Sequence, residues 1–244
     1  MSAQTRQSLS SSPLLRETAV LRRSARGGFT LLELLLVMAI VVAVMSTAAP
    51  AVRGTLDGVN LTGAEELVEG QLSLARQIAM SRNLPVEVRF YQDTSISSNP
   101  WRIVGMVIPA ISTGQSKDEW VAAPAMLPGT VIVDTTAGKD FSTVLTNISA
   151  DVPTSANPDP VGPWKSQESN SAPYRVRGKS YIAFRFQPNG STNLPASADA
   201  SSNQAWSISL KNLKDRSTNG VTPAANYIAV VIDPLTGRTL SYRP

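Results

Sequence analysis

The chain has 244 residues, no cysteine and no histidine, and its 22 lysines and arginines outnumber 18 acids for a formal net charge of +4. Without cysteine the fold must rest on a packed core rather than disulfides. Without histidine, Ser-His-Asp and Cys-His nucleophiles, imidazole acid–base chemistry and histidine-containing zinc sites are excluded. The chemistry left to an enzyme is that of carboxylates or of a lysine-activated serine, and no serine lies three residues before any lysine. All of the excess charge sits in residues 1–28, where Arg6, Arg16, Arg22, Arg23 and Arg26 face only Glu17. The rest of the chain is neutral, so no nucleic-acid partner is expected.

Residues 1–28 read as a basic, serine-rich leader. Residues 29–49 are apolar except for Glu33, and as a helix they would extend about 31 Å, the thickness of a bilayer's hydrocarbon. The expectation is a transmembrane helix held in the lipid bilayer, with the basic leader in the cytoplasm and the remainder exported. Residues 50–83 read as a linker followed by an amphipathic continuation of the helix. Residues 51–58, with Gly54 and Gly58, read as a break, and Arg53 stands just past the apolar run as an interface anchor. From Val59 the period is helical: Leu61, Ala64, Val68, Leu72, Ala75 and Ile78 or Ala79 form one stripe, and Pro85 ends the helix by Asn83.

At Pro85 the period changes to two. Val86, Val88 and Phe90 alternate with Glu87, Arg89 and Tyr91, which predicts a half-buried strand. Further strands are predicted at 101–108, within 119–133, and at 181–186, 206–210, 227–232 and 239–242. Asn189-Gly190 and Asp233-Pro234-Leu235-Thr236-Gly237 supply turns between them. Residues 149–173, dense in Ser, Asn, Asp and Pro, read as a polar surface insertion. Residues 84–244 are thus an exported β-rich domain, and helix followed by strands predicts an α+β fold.

The junction Gly27-Gly28-Phe29-Thr30-Leu31-Leu32-Glu33 carries more than hydrophobicity. A plain membrane anchor leaves it unexplained. A conventional secretory signal, for which Ser46-Thr47-Ala48 would be the cleavage end, is opposed by the charge at Glu33 and the length of the run. The junction resembles the signal of type IV prepilins and type II secretion pseudopilins. That resemblance implies cleavage after Gly28 by a prepilin peptidase, N-methylation of the new terminus Phe29, and a role for Glu33 as the charge partner of a subunit's amine during assembly; Pro50 matches a helix-loosening proline. The segment LSLARQIAMSRNLPVEVRFY, the turn Phe186-Gln187-Pro188-Asn189-Gly190 and the closing Asp-Pro-x-x-Gly hairpin resemble the GspH/FimT family of minor pseudopilins and pilins. ARQIAMSRN with VEVRFY also resembles the Verru_Chthon cassette protein D group. The acidic calcium loop of major pseudopilins is not apparent.

The resemblance implies a pilin-like fold in which a long N-terminal helix, its first half transmembrane, packs on an antiparallel sheet. It implies a structural subunit of a type II secretion pseudopilus or type IV pilus, with no enzymatic activity, cofactor or metal. The implied partners are the prepilin peptidase/methylase, other pilin or pseudopilin subunits and an inner-membrane assembly platform. The implied location is the inner membrane, single-pass, with the C-terminal domain periplasmic. The alternative is a membrane-tethered envelope protein whose β-rich domain binds a ligand or acts through carboxylates. Smaller features are read blandly. Gly178-Lys179-Ser180 lacks the upstream glycine of a phosphate loop, and Asp57, Asp118 and Glu119 are solvated acids. Trp164, in the polar insertion, has the most scope among the tryptophans for exposure and partner contact.

Overall fold

The computed structural model describes residues 28–135, 141–199, 204–215 and 224–243, without the side chains of residues 47–53. Residues 1–27 of the 1–28 leader and the side chains of Pro50 and Arg53 therefore lie outside the described residues. The chain forms two compact units that meet between Ala48 and Ala49.

Helix α1 is Leu31–Arg82. The predicted break at 51–58 is absent, because the helix continues through it. Glycine costs about 1 kcal/mol in a helix interior, and cooperative propagation from both sides carries two such residues. The C-terminus is set by a left-handed residue: Asn83 has φ 55°, and the Leu84 amide donates to the Ala79 carbonyl at 3.3 Å. That six-to-one bond is the Schellman arrangement, and Pro85 then forbids continuation.

Among the described residues no helix is long and apolar enough to cross a membrane. This overturns the transmembrane reading of 29–49, and with it the single-pass inner-membrane placement, the periplasmic domain and the bilayer contact. The described apolar side chains run from Leu31 to Met45, about 22 Å of helix against the roughly 30 Å required, and Glu33 falls within that run. The architecture is an α+β fold with an N-terminal helix and an antiparallel sheet.

The strands are β1 (Val86–Gln92), β2 (Trp101–Ile108), β3 (Glu119–Trp120), β4 (Ala125–Met126), β5 (Val131–Val133), β6 (Trp164–Gln167), β7 (Ser180–Phe186), β8 (Trp206–Asn212), β9 (Tyr227–Ile232) and β10 (Thr239–Tyr242), with short helices α2 (Ala110–Thr113) and α3 (Thr143–Thr146). They form one sheet in the order β10-β9-β8-β5-β2-β1-β7-β6, with β3 and β4 also pairing with β2. Every strand pair is antiparallel. On one sheet face the stripe Leu61, Ala64, Val68, Leu72, Ala75 and Ala79 of α1 is buried against Val86, Val88, Phe90, Phe184, Ile208 and Val230. Strands β1, β5, β7, β8 and β9 contribute alternate residues to this core, as a period of two requires.

The other face departs from the prediction. Glu87, Arg89 and Tyr91 are buried as completely as Val86, Val88 and Phe90, because residues 149–178 fold over them. The supposed polar insertion supplies β6 and a second apolar cluster in which Trp164, Ala172 and Val176 pack with Tyr91, Ile103 and Tyr181. Trp164 is 1% exposed, so its reading as an exposed partner contact is wrong. Its ring lies under the Arg185 guanidinium, 5.1 Å from the centroid.

Charge as well as apolar area holds the cover down. Glu87 Oε1 accepts from Arg185 Nε at 3.0 Å and Nη2 at 2.7 Å, while its Oε2 accepts from Arg89 Nε at 2.8 Å and Nη2 at 2.6 Å. Arg89 reaches on to Glu168 at 2.8 Å and Asp118 at 2.5 Å, and Tyr91 donates to Glu168 at 2.7 Å. Burial would lower the pKa of Arg89, but Glu87 foremost and then Tyr181, Tyr91 and Asp118 hold it well above its ordinary value. Asp118 is therefore part of a network rather than a solvated acid. Glu119 pairs with Arg82 at 2.5 Å, and Asp57 pairs with Lys214.

Candidate processing and assembly site

The site begins where α1 begins. Thr30 is the N-cap: its Oγ1 accepts from the Glu33 amide at 3.2 Å, and its carbonyl accepts from the Leu34 amide at 3.1 Å. A side-chain oxygen here satisfies one of the four first-turn amides that have no helical partner. Thr-x-x-Glu is the sequence pattern of a capping box. The alternation of motif letters conceals this pattern, yet Thr30 and Glu33 three residues apart, just before an apolar run, are a sufficient signal for it.

Glu33 lies in the first turn. The helix dipole places partial positive charge at this end, so a carboxylate there is favoured by about 0.3–1 kcal/mol. Gly28 and Phe29 precede the cap without regular structure, with Phe29 81% exposed. An extended, accessible pair of residues ahead of a capped helix suits a peptidase, which must draw its scissile bond out of regular structure. If Phe29 became the terminus, its ammonium would stand one residue before the cap, where dipole and cation together attract an acid. Beyond the first turn, Leu31 through Met45 present exposed apolar side chains. The structure thus places Gly28 and Phe29 just ahead of the Thr30 cap and Glu33 in the first helical turn.

Residues 23–49 match the family model described as the prokaryotic N-terminal methylation motif. The chain carries a prepilin-type processing and methylation signal. This pilin-like signal covers the junction read above and implies the prepilin peptidase and methylase as partners; it does not distinguish a subfamily. No curated protein and no solved structure matches the chain.

The β-rich unit shows what the other motif residues do. Arg76 of α1 donates through Nε to the carbonyls of Gly190 (3.2 Å) and Thr236 (2.8 Å). It thereby ties together the Phe186–Gly190 turn and the β9–β10 hairpin. Gly237 sits between them at φ 63°, where a Cβ would collide with the Gly190 carbonyl oxygen. Gly178-Lys179-Ser180 leads into strand β7, and Lys179 lies 3.9 Å from Asp93. Among the described residues no three or more acidic side chains converge as a metal site.

Proposed function

We propose that the protein is a minor, non-enzymatic subunit of a type II secretion pseudopilus or type IV pilus-like filament, of the GspH/FimT kind. A prepilin peptidase/methylase cuts after Gly28 and methylates Phe29, and Glu33 then pairs with the amine of an adjacent subunit. The partners are other pilin-like subunits and the platform that assembles them. The observation that carries this reading is the methylation motif lying directly on a capped helix start, with Glu33 in the first turn. The exposed apolar side chains from Leu31 to Met45 support it, since like helices packed side by side would cover them.

An ammonium–carboxylate pair in such a bundle adds little net energy over an apolar substitute, yet leaving one charge alone costs several kcal/mol. Glu33 therefore selects register more than it adds adhesion. The test is intact mass and N-terminal sequence of the protein purified from its native host. A chain starting at N-methylated Phe29 is expected. A chain still starting near Met1 overturns the reading.

A further inference from the structure

The connection from β6 to β7 carries exposed charge that no described acid answers. Residues 169–180 contain no Asp or Glu. Tyr174 is 90% exposed, more than any other large apolar side chain among the described residues. Arg175 and Arg177, on either side of buried Val176, are exposed as well. Neither guanidinium has a carboxylate partner among the described residues, whereas Lys179 is drawn toward Asp93.

The turn is held in place by other groups, so these three side chains are not needed to anchor it. Val176 and Ala172 pack into the second apolar cluster. The Val176 and Arg177 amides donate to the Pro173 carbonyl at 3.0 and 3.1 Å, and the Lys179 amide donates to the Val176 carbonyl at 3.0 Å. Gln167 Nε2 donates to the Gly178 carbonyl at 3.0 Å, and Arg177 Nε to the Ala172 carbonyl at 3.3 Å. A surface ordered in advance loses less conformational entropy on binding. Tyrosine and arginine are among the side chains that contribute most to protein interfaces, and a guanidinium fork fits a carboxylate.

The number of charges selects the class of partner. Strong binding of a nucleic acid draws on a stripe of cations making about six to ten phosphate contacts. Here two unpaired guanidiniums stand on one turn, in a chain that is neutral beyond residue 28. Carboxylates a few residues apart on a peptide match that number. We propose that the turn from Tyr174 to Arg177 docks an acidic segment of a partner protein, with the guanidiniums on its carboxylates and the phenol against an apolar side chain between them. The inference does not depend on cleavage after Gly28 or on filament assembly.

Purified full-length protein is titrated at low salt into fluorescein-labelled Glu-Leu-Glu-Leu-Glu amide, and binding is read as anisotropy. The Gln-Leu-Gln-Leu-Gln amide is the uncharged control, and labelled oligothymidylate is the polyphosphate. Saturable binding of the glutamate peptide is expected, with none of the glutamine peptide. Arg175→Gln combined with Arg177→Gln is expected to weaken it about tenfold, and Tyr174→Ser about fivefold, with near-ultraviolet circular dichroism retained because all three side chains are exposed. Arg238→Gln, in the hairpin at the opposite edge of the sheet, should leave the affinity unchanged. The proposal is overturned by no saturable binding of the glutamate peptide, by equal binding of the glutamine peptide, or by a loss in Arg238→Gln as large as in the double variant. Tighter binding of oligothymidylate than of the glutamate peptide at the same salt also overturns it, in favour of a nucleic acid.

Discussion

Thr30 and Glu33 divide two tasks that a motif alone would merge. The hydroxyl of Thr30 closes the first turn, while the Glu33 amide, not its carboxylate, makes the recorded bond, which leaves the acid to be used elsewhere. Thr30→Val is expected to cost about 1 kcal/mol of local helix stability, seen as roughly fivefold faster amide hydrogen exchange in the first turn. Glu33→Ala should leave the cap and cleavage after Gly28 intact and abolish incorporation into filaments. Crosslinking between neighbouring subunits is the readout, and a mutant that still crosslinks at the wild-type level removes Glu33 from the assembly step. Gly237 makes the same point for the β-rich unit. Gly237→Ala combines a left-handed backbone with a collision against a carbonyl, and a loss of about 2 kcal/mol or more is expected from thermal unfolding.

At the scale of elements, the stripe on α1 and the positions of β1, β2, β7, β8, β9 and β10 were legible because apolar periodicity reports burial against a single core. What periodicity reports poorly is burial by polar means. Glu87 and Arg89 alternate with valines and so mimic a solvent face; their partners Arg185 and Glu168 lie 98 and 79 residues away, beyond any local pattern. The cover over them was misread for the same reason, since Ser, Asn and Pro dominate residues 149–173 and only a few of the apolar residues there, Trp164 and Ala172 among them, are buried. The break at 51–58 failed differently: two glycines, at about 1 kcal/mol each, do not stop a helix that propagates from both sides. Arg89→Met leaves Glu168 buried without its cation and is expected to cost about 3–5 kcal/mol. Chemical denaturation measures this directly, and a shift below 1 kcal/mol would show that the network is solvated.

At the scale of the whole molecule, titration limits the range in which the β-rich unit is stable. Burial raises the phenol of Tyr181 to about 12, against its ordinary value of 10, and raises Tyr91 further. A folded pKa above the unfolded one means that the stabilisation is complete below pH 10 and is lost as pH rises through about 12. Unfolding in alkali is therefore expected between those limits, coincident with tyrosinate absorbance. Tyr91→Phe should shift that onset upward.

At the acid end, Asp93 is held below its ordinary range chiefly by the Ser95 hydroxyl. Asp233 is held down chiefly by Thr236. The stability each contributes is present above the unfolded pKa and fades as pH falls through the lowered value.

Helix α1 starts with bonds that lie wholly at or after Thr30. Both bonds are made between Thr30 and residues that follow it, so a cut after Gly28, as proposed, would leave these two bonds in place. Precursor and product would then share one conformation at this end, and maturation would change only what the terminus is, from an amide in mid-chain to a free cation. On the proposed reading, the peptidase would work as a licence rather than as a folding step.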